Sequence, residues 1–485
     1  MGKDFLFSSQ VSFIHSPKVE NYCKDIPFDP PERYPELRFI PRINKDSRVY
    51  EIVRELLKAL SLDKENMGTP IWDPFKDIIK PGNTVLIKPN LVTHRHYLGK
   101  DALYSAVSHG SIIRPIIDYV FLALEGKGSI IIADNPVEST DFESLMEFTG
   151  IRTMVEELSK REYCDLEVLD LRPRVLKEAE DGKFYYELQK SDPLGYATIN
   201  LGKDSLFAEF DQDNSVHYYT LADHTVDHFN PRYEGESSTD KYHNSLAHEY
   251  IVSKSVLDAD VIINIAKMKT HCKAGVTLAL KNMIGMVYEK ECMPHHRPGL
   301  PPKGDSFPHY PPVHYVASRK LYKRLRENLQ IHRVPGFRSF RNLLQKKGIL
   351  IGQHIEHGNW KGNDTIWRTI LDLNRIAIYA DKNGIMQDTP QRKYFALIDG
   401  VIAQEGEGPM GGEPVVSSIV FGGVNPVITD ALAIKSMGLD NNLIKTVSEA
   451  GKIKKWKLLP ENGFDPSFPD MEVPKLNFKM PKGWN

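Results

Sequence analysis

The chain is poor in cysteine, nearly neutral in charge and free of long apolar runs. Only Cys23, Cys164, Cys272 and Cys292 occur among 485 residues, far apart and with no CxxC pair. That spacing excludes a disulfide framework, a zinc ribbon and an iron–sulfur cluster held by this chain alone. Reduced thiols fit a cytoplasmic protein. Lys and Arg number 62 against 64 Asp and Glu, a net charge of -2, so the chain is not a globally basic nucleic-acid binder. No apolar stretch reaches the ~18 residues of a transmembrane span. The opening MGKDFLFSSQVSF has no basic segment followed by an apolar run, so no signal peptide is expected. The GxxxxGK[ST] phosphate loop is also missing.

What remains is an ordinary globular composition, 41% hydrophobic with 33 Gly and 32 Pro. The length suits two or three units. Residues 1–44 read as a Pro-rich, extended lead-in that packs on the core. Residues 45–171 read as a first α/β half. A helix pattern runs from Val49 to Leu60, and short apolar strands fall at Thr84–Lys88, Ser129–Ala133 and Leu166–Leu169. Helices are expected over 112–124, with Pro115 in the first turn, and over 141–160. Residues 172–250 are polar and weakly periodic, an insertion or small subdomain. The α/β pattern resumes over 251–290, with a strand at Val261–Ile265 and a helix from about Thr277. Residues 291–350 form a Pro-rich loop and a basic insertion. A final α/β part covers 351–460, with an irregular tail at 461–485. Apolar strands alternating with helices predict a doubly wound, mostly parallel sheet with helices on both faces and two polar insertions.

The densest polar cluster, NIAKMKTHCKAGVTLALKN, follows the strand at Val261–Ile265. Ligands of doubly wound sheets bind outside the carboxyl ends of the strands. Lys267, Lys269 and His271 alternate, so in extended chain they point the same way. Thr277, Lys281 and Asn282 would open a helix whose free N–H groups favour anions. Lysines at a solvated strand exit are the plainer account, but the apolar flanks place this cluster against the core. Lys88 and Asn90 end an earlier strand (VLIKPNLV), and His109 and Arg114 stand at a helix start, so all four could face the same crevice. Asp134 ends the next strand, as general base, metal ligand or simple turn cap. Asp399, Glu405 and Glu407 lie in or near a loop with Gly406, Gly408, Gly411 and Gly412. Glycines let backbone approach a ligand, and carboxylates two apart suit a hard cation. Taken alone, that piece reads best as an exposed hairpin turn. His354 and His357 do not make HExxH, which excludes the zinc-protease reading.

Residues 316–347 carry ten Lys or Arg against one acid, Glu327. With Leu321, Leu325 and Leu329 beneath the charges, the segment could dock on an anionic surface or glycan. Without an aromatic stacking platform, nucleic acid ranks last.

Together, VLIKPNLV, the His109-Gly110 to Arg114-Pro115 helix start, IIIAD, DADVIINIAKMKTHCKAGVTLALKNMIG, LIDGVIAQEGEGPMGG and NPVITDALAIKSMG resemble the domain-of-unknown-function family 362 (DUF362). The resemblance runs from about residue 80 to 440, and its central block is the most specific. It implies an α/β fold whose polar motifs converge on one site, and no settled reaction. Some relatives carry a ferredoxin-like cluster module; this chain lacks the cysteines for one.

The pattern therefore predicts an enzyme with a small anionic substrate, phosphorylated or carboxylated. Lys88, Asn90, His109, Arg114, Lys267, Lys269, Thr277, Lys281, Asn282, Gly406 and Gly408 would bind it. His271, Asp134 and Glu405 would be catalytic, with His271 as general acid–base. Asp134 and Glu405 are also the ligands expected for a divalent cation. The alternative is a non-catalytic protein that holds an anionic ligand or cofactor and docks through 316–347.

Overall fold

The computed structural model describes residues 6, 8–161, 165–179, 184–213, 216–220, 238–297, 299, 301–305, 358–460 and 471–484. The basic segment 316–347, with His309, His314, His354 and His357, lies outside them.

The strands are β1 (Val11–His15), β2 (Thr84–Pro89), β3 (Ser129–Asp134), β4 (Asp165–Asp170), β5 (Arg174–Glu178), β6 (Phe184–Leu188), β7 (Tyr196–Asn200), β8 (His243–Asn244), β9 (Ala247–Ser253), β10 (Val261–His271), β11 (Gly275–Thr277), β12 (Lys393–Glu407) and β13 (Gly411–Gly423). The main sheet has eight strands in the order β1-β13-β12-β10-β2-β3-β4, with β11 paired to β10. Neighbours from β12 through β10, β2 and β3 to β4 are parallel. β13 is antiparallel to both β12 and β1. The chain winds outward from β2 to β3 and β4, then returns on the other side of β2 with β10 and β12. The switch point of this α/β sheet, where such folds bind ligands, therefore lies between β2 and β10.

Helices α1 (Arg48–Ala59), α2 (Gly110–Leu124), α3 (Phe142–Thr149), α4 (Ile151–Ser159), α5 (Lys254–Asp258), α6 (Ala279–Asn282), α7 (Ile366–Tyr379) and α8 (Pro426–Ser436) pack around the sheet. The two-residue period of a strand assigns side chains to opposite faces. Val85 and Ile87 of β2, with Ile263 and Ile265 of β10, pack against α1, α2, α3 and α4. Leu86, Ile262 and Ala266 pack against α7 and α8 on the other face. Each fully buried apolar side chain of this size contributes about 1.5–3 kcal/mol relative to exposure, so both layers hold the sheet. Residues 172–250 contribute the β5–β6 hairpin and the small β7-β9-β8 sheet.

Several local readings change. The lead-in contains β1, which pairs along the edge of β13. β10 runs on from Ile265 to His271, because β11 and β12 supply partners for its polar end. The helix expected from Thr277 is only the four residues of α6; Thr277 itself lies in β11. Glu405, Gly406 and Glu407 lie on the β12 arm and Gly408 in the turn to β13, so this glycine-rich piece is the hairpin turn it reads as in isolation. α2 begins at Gly110, which puts Pro115 beyond the first turn. Among the described residues one helical stretch, Asp101–Leu124, is long and apolar enough to cross a membrane, but 89% of its most apolar window is buried inside the fold, as in a core helix.

Candidate functional site

Three lysines end the central strands, and the structure separates their roles. Lys88 continues the face of Leu86, and its Nζ lies 2.7 Å from Asp134 Oδ1. Gly285 presses against this pair: a Cβ there would sit 1.9 Å from Asp134 Oδ1. Lys267 continues the face of Ile265, so it hangs on the opposite side of the sheet. Its Nζ lies 2.9 Å from Asp399 Oδ2, which also accepts the Tyr22 hydroxyl at 2.7 Å. Tyr22 arrives from the lead-in and stacks on His109, sealing Lys267 from solvent. Burial lowers the pKa of both lysines and their carboxylates oppose that shift.

Lys269 differs. It is fully buried, and its Nζ donates to two uncharged acceptors, Asn90 Oδ1 at 2.8 Å and Ala106 O at 2.6 Å. Asn90 is held by a directed chain of amides. Asn90 Nδ2 donates to Asn282 Oδ1 at 2.7 Å. Asn282 Nδ2 donates to Asn264 Oδ1 at 2.7 Å, and Asn264 Nδ2 donates to Ala279 O and the Tyr394 hydroxyl. Burial pushes the Lys269 pKa well down, and the nearby Lys281 and Lys267 charges push it further.

Two buried polar atoms flank Lys269 with no hydrogen-bond partner. Thr277 is directly opposite Lys269 in the antiparallel β10–β11 pair, so their side chains share a face. Its Oγ1 is unpartnered. Gln404 pairs with Lys269 from β12; its Nε2 meets His96 Nε2 at 2.7 Å, and its Oε1 is unpartnered. Buried polar atoms are normally hydrogen-bonded, so these two are exceptions.

Outward from Lys269 the charge is basic. His271 Nδ1 accepts the N–H groups of Lys273 at 3.0 Å and Ala274 at 3.3 Å. The neutral ring therefore carries its proton on Nε2, as a donor. Burial, then Lys281, Lys269 and Lys273, hold its pKa well below the ordinary value, so a near-neutral acid–base role does not fit. Burial brings Lys273 and Lys281 down to about 8. Lys281 is half-buried and has no ion-pair partner among the described residues.

Other expected residues lie elsewhere or are committed. Arg114 is buried between Asp118 at 3.0 Å and Asp29 at 3.0 Å and tethers the lead-in. His109 accepts from Ser111 N–H and caps α2. Asp134 also accepts the N–H groups of Leu91 and Asn135. Glu405 binds Lys479 of the tail through both N–H and ammonium. Asp134 and Glu405 thus share no partner, and the described residues contain no metal-ligating group of three or more His, Cys, Asp or Glu. The helix-dipole reading fails too: the Ala279 and Leu280 N–H groups of α6 are taken by Asp430 at 2.8 and 3.0 Å. Gly406 N–H donates to Lys479 O. Gly408 approaches Thr270 O so closely that a Cβ would lie 2.0 Å from it, and both glycines serve the hairpin. Asn264, Gln404, His96 and Tyr22 were not foreseen. Asn264 alone left a signal, a polar residue inside the apolar VIINI strand.

Fold and site together define an open α/β protein with a buried cluster of lysines, amides and one histidine at the strand ends of its switch point. Residues 217–435 match the family described as "Domain of unknown function (DUF362)", the family that the sequence motifs resemble. The cluster also draws on β2 and β3, upstream of the matched residues. No curated protein matches the sequence. A crystal structure of a Thermotoga maritima protein aligns over 80% of this chain and 59% of its own length, at 10% identity and a TM-score of 0.33. The chain therefore spans under two thirds of that protein, and a likeness of this size defines neither fold nor activity.

Proposed function

We propose that the protein is an enzyme that holds a small anionic molecule, phosphorylated or carboxylated, at the carboxyl ends of β2 and β10. One observation carries this reading. Lys269 has only uncharged partners, and the polar atoms on both sides of it, Thr277 Oγ1 and Gln404 Oε1, have none. Lys281 and the His271 Nε2–H add donors without adding a carboxylate. An anion would give Lys281 its counter-charge and the unpartnered polar atoms beside Lys269 a partner, and polar or charged groups are costly to bury until they are paired.

The test is unfolding of the full chain in inorganic phosphate or citrate against sodium chloride at matched ionic strength. Specific binding at a hundred times Kd stabilises by about 2.7 kcal/mol, and Lys281→Gln should remove most of it. Equal effects of chloride and phosphate would sink the reading. Salt-sensitive binding to anionic vesicles without phosphate stabilisation would favour the non-catalytic alternative, docking through 316–347.

A further inference from the structure

We propose that Lys269 is the reacting amine of this site and forms an imine with an anionic aldehyde or ketone. The inference rests on the anion-binding reading above and names its substrate class.

The argument is the contrast among the three strand-end lysines. Lys88 and Lys267 each have a carboxylate, Asp134 and Asp399. Those pairs hold the ammonium form. Lys269 has Asn90 Oδ1 and Ala106 O instead. An uncharged amine has two N–H bonds, and two acceptors satisfy both. The nitrogen lone pair is then left over, and a neutral amine with a free lone pair is the nucleophile of imine chemistry. The amide chain Asn264–Asn282–Asn90 fixes the acceptor without adding charge. Burial and the neighbouring Lys281, Lys267 and Lys88 favour the same uncharged form, with the more distant Asp134, already paired to Lys88, opposing it. Thr277 Oγ1, on the same face and unpartnered, stands where a carbonyl oxygen next to Lys269 would need a donor.

The step balances without a further reagent. The Lys269 nitrogen attacks the carbonyl carbon and a C–N bond forms, while the C=O pair moves to oxygen. A proton passes from nitrogen to that oxygen. Loss of water breaks the C–O bond and leaves C=N. Lys281 holds the carboxylate or phosphate of the same molecule.

The experiment uses the full chain, glyoxylate as the probe and cyanoborohydride to trap the imine, with the modified lysine located by peptide mass spectrometry. Each unit of pKa lowering raises the free-amine fraction about tenfold. Lys269 should therefore be modified at least about tenfold faster than the median lysine at neutral pH. Inorganic phosphate should suppress that adduct and spare surface lysines. Asn90→Asp, which supplies the missing carboxylate, should also suppress it while the protein stays folded by circular dichroism. If phosphate stabilises the protein but Lys269 reacts no faster than surface lysines, or the adduct falls on Lys273 or Lys281, this inference is overturned and the binding reading survives. If phosphate does not stabilise the protein either, both fail.

Discussion

Replacing Asp399 with asparagine tests whether the buried pairs at the strand ends are held by charge. Lys267 and Asp399 are both fully buried, 2.9 Å apart. Removing one partner of such a pair costs about 3–5 kcal/mol, because the other charge is left in a poor solvent. The lysine has one escape: it can give up its proton. Against an ordinary pKa of 10.5, doing so near pH 7 costs roughly 1.36 kcal/mol for each of about 3.5 pH units. That sets a ceiling of about 5 kcal/mol. Near pH 10 the same escape costs only about 0.7 kcal/mol. The loss in Asp399→Asn should therefore be about 3–5 kcal/mol near pH 7 and under about 1.5 kcal/mol near pH 10. Urea midpoints of wild type and variant at both pH values, read with a common slope, measure it. A loss that is the same at both pH values would falsify the charge argument, because lost packing does not titrate.

Arg114→Met should cost about 3–5 kcal/mol by leaving Asp29 and Asp118 buried without their cation, yet it should leave phosphate affinity per folded molecule unchanged in calorimetry. Lys273 and Lys281, near 8 in the fold and 10.5 when free, bind fewer protons folded than unfolded between those values. Without ligand their contribution to stability therefore rises with pH across that window. Stabilisation by phosphate should show the opposite trend and fade as pH rises through about 8, which melting at stepped pH would show. Trp484→Ala should cost up to about 3–5 kcal/mol, because the ring is buried against Gly275 and Ile444 while its indole N–H donates to Cys272 O at 2.7 Å. An unchanged melting point would mean that the tail does not brace the β10–β11 turn.

The layered fold was legible in the chain because its signals are local. Short apolar strands, a helix-period run from Val49 and polar residues at strand exits each depend on near neighbours, and they placed α1, β2, β3 and the first half of β10. The polar end of β10 was not legible as strand, because the partners that make it one, β11 and β12, are set by pairing across the sheet. The fates of the charged residues were hidden for the same reason. Lys88, Lys267 and Lys269 look alike in sequence. Which of them receives a carboxylate depends on Asp134, Asp399 and Asn90, which lie 46 or more positions away in hydrogen bonds and ion pairs made only in three dimensions. Glu405 and Arg114 looked equally free, until the tail claimed one and the lead-in the other.

By itself, then, the sequence determined that an α/β sheet forms and that cations gather where its strands end, since period and propensity act over a few residues. Tertiary structure alone decided which lysines receive a carboxylate and which one is left with uncharged acceptors beside unpartnered polar atoms. Charge balance in a low-dielectric interior depends on distances of a few ångströms between groups far apart in the chain.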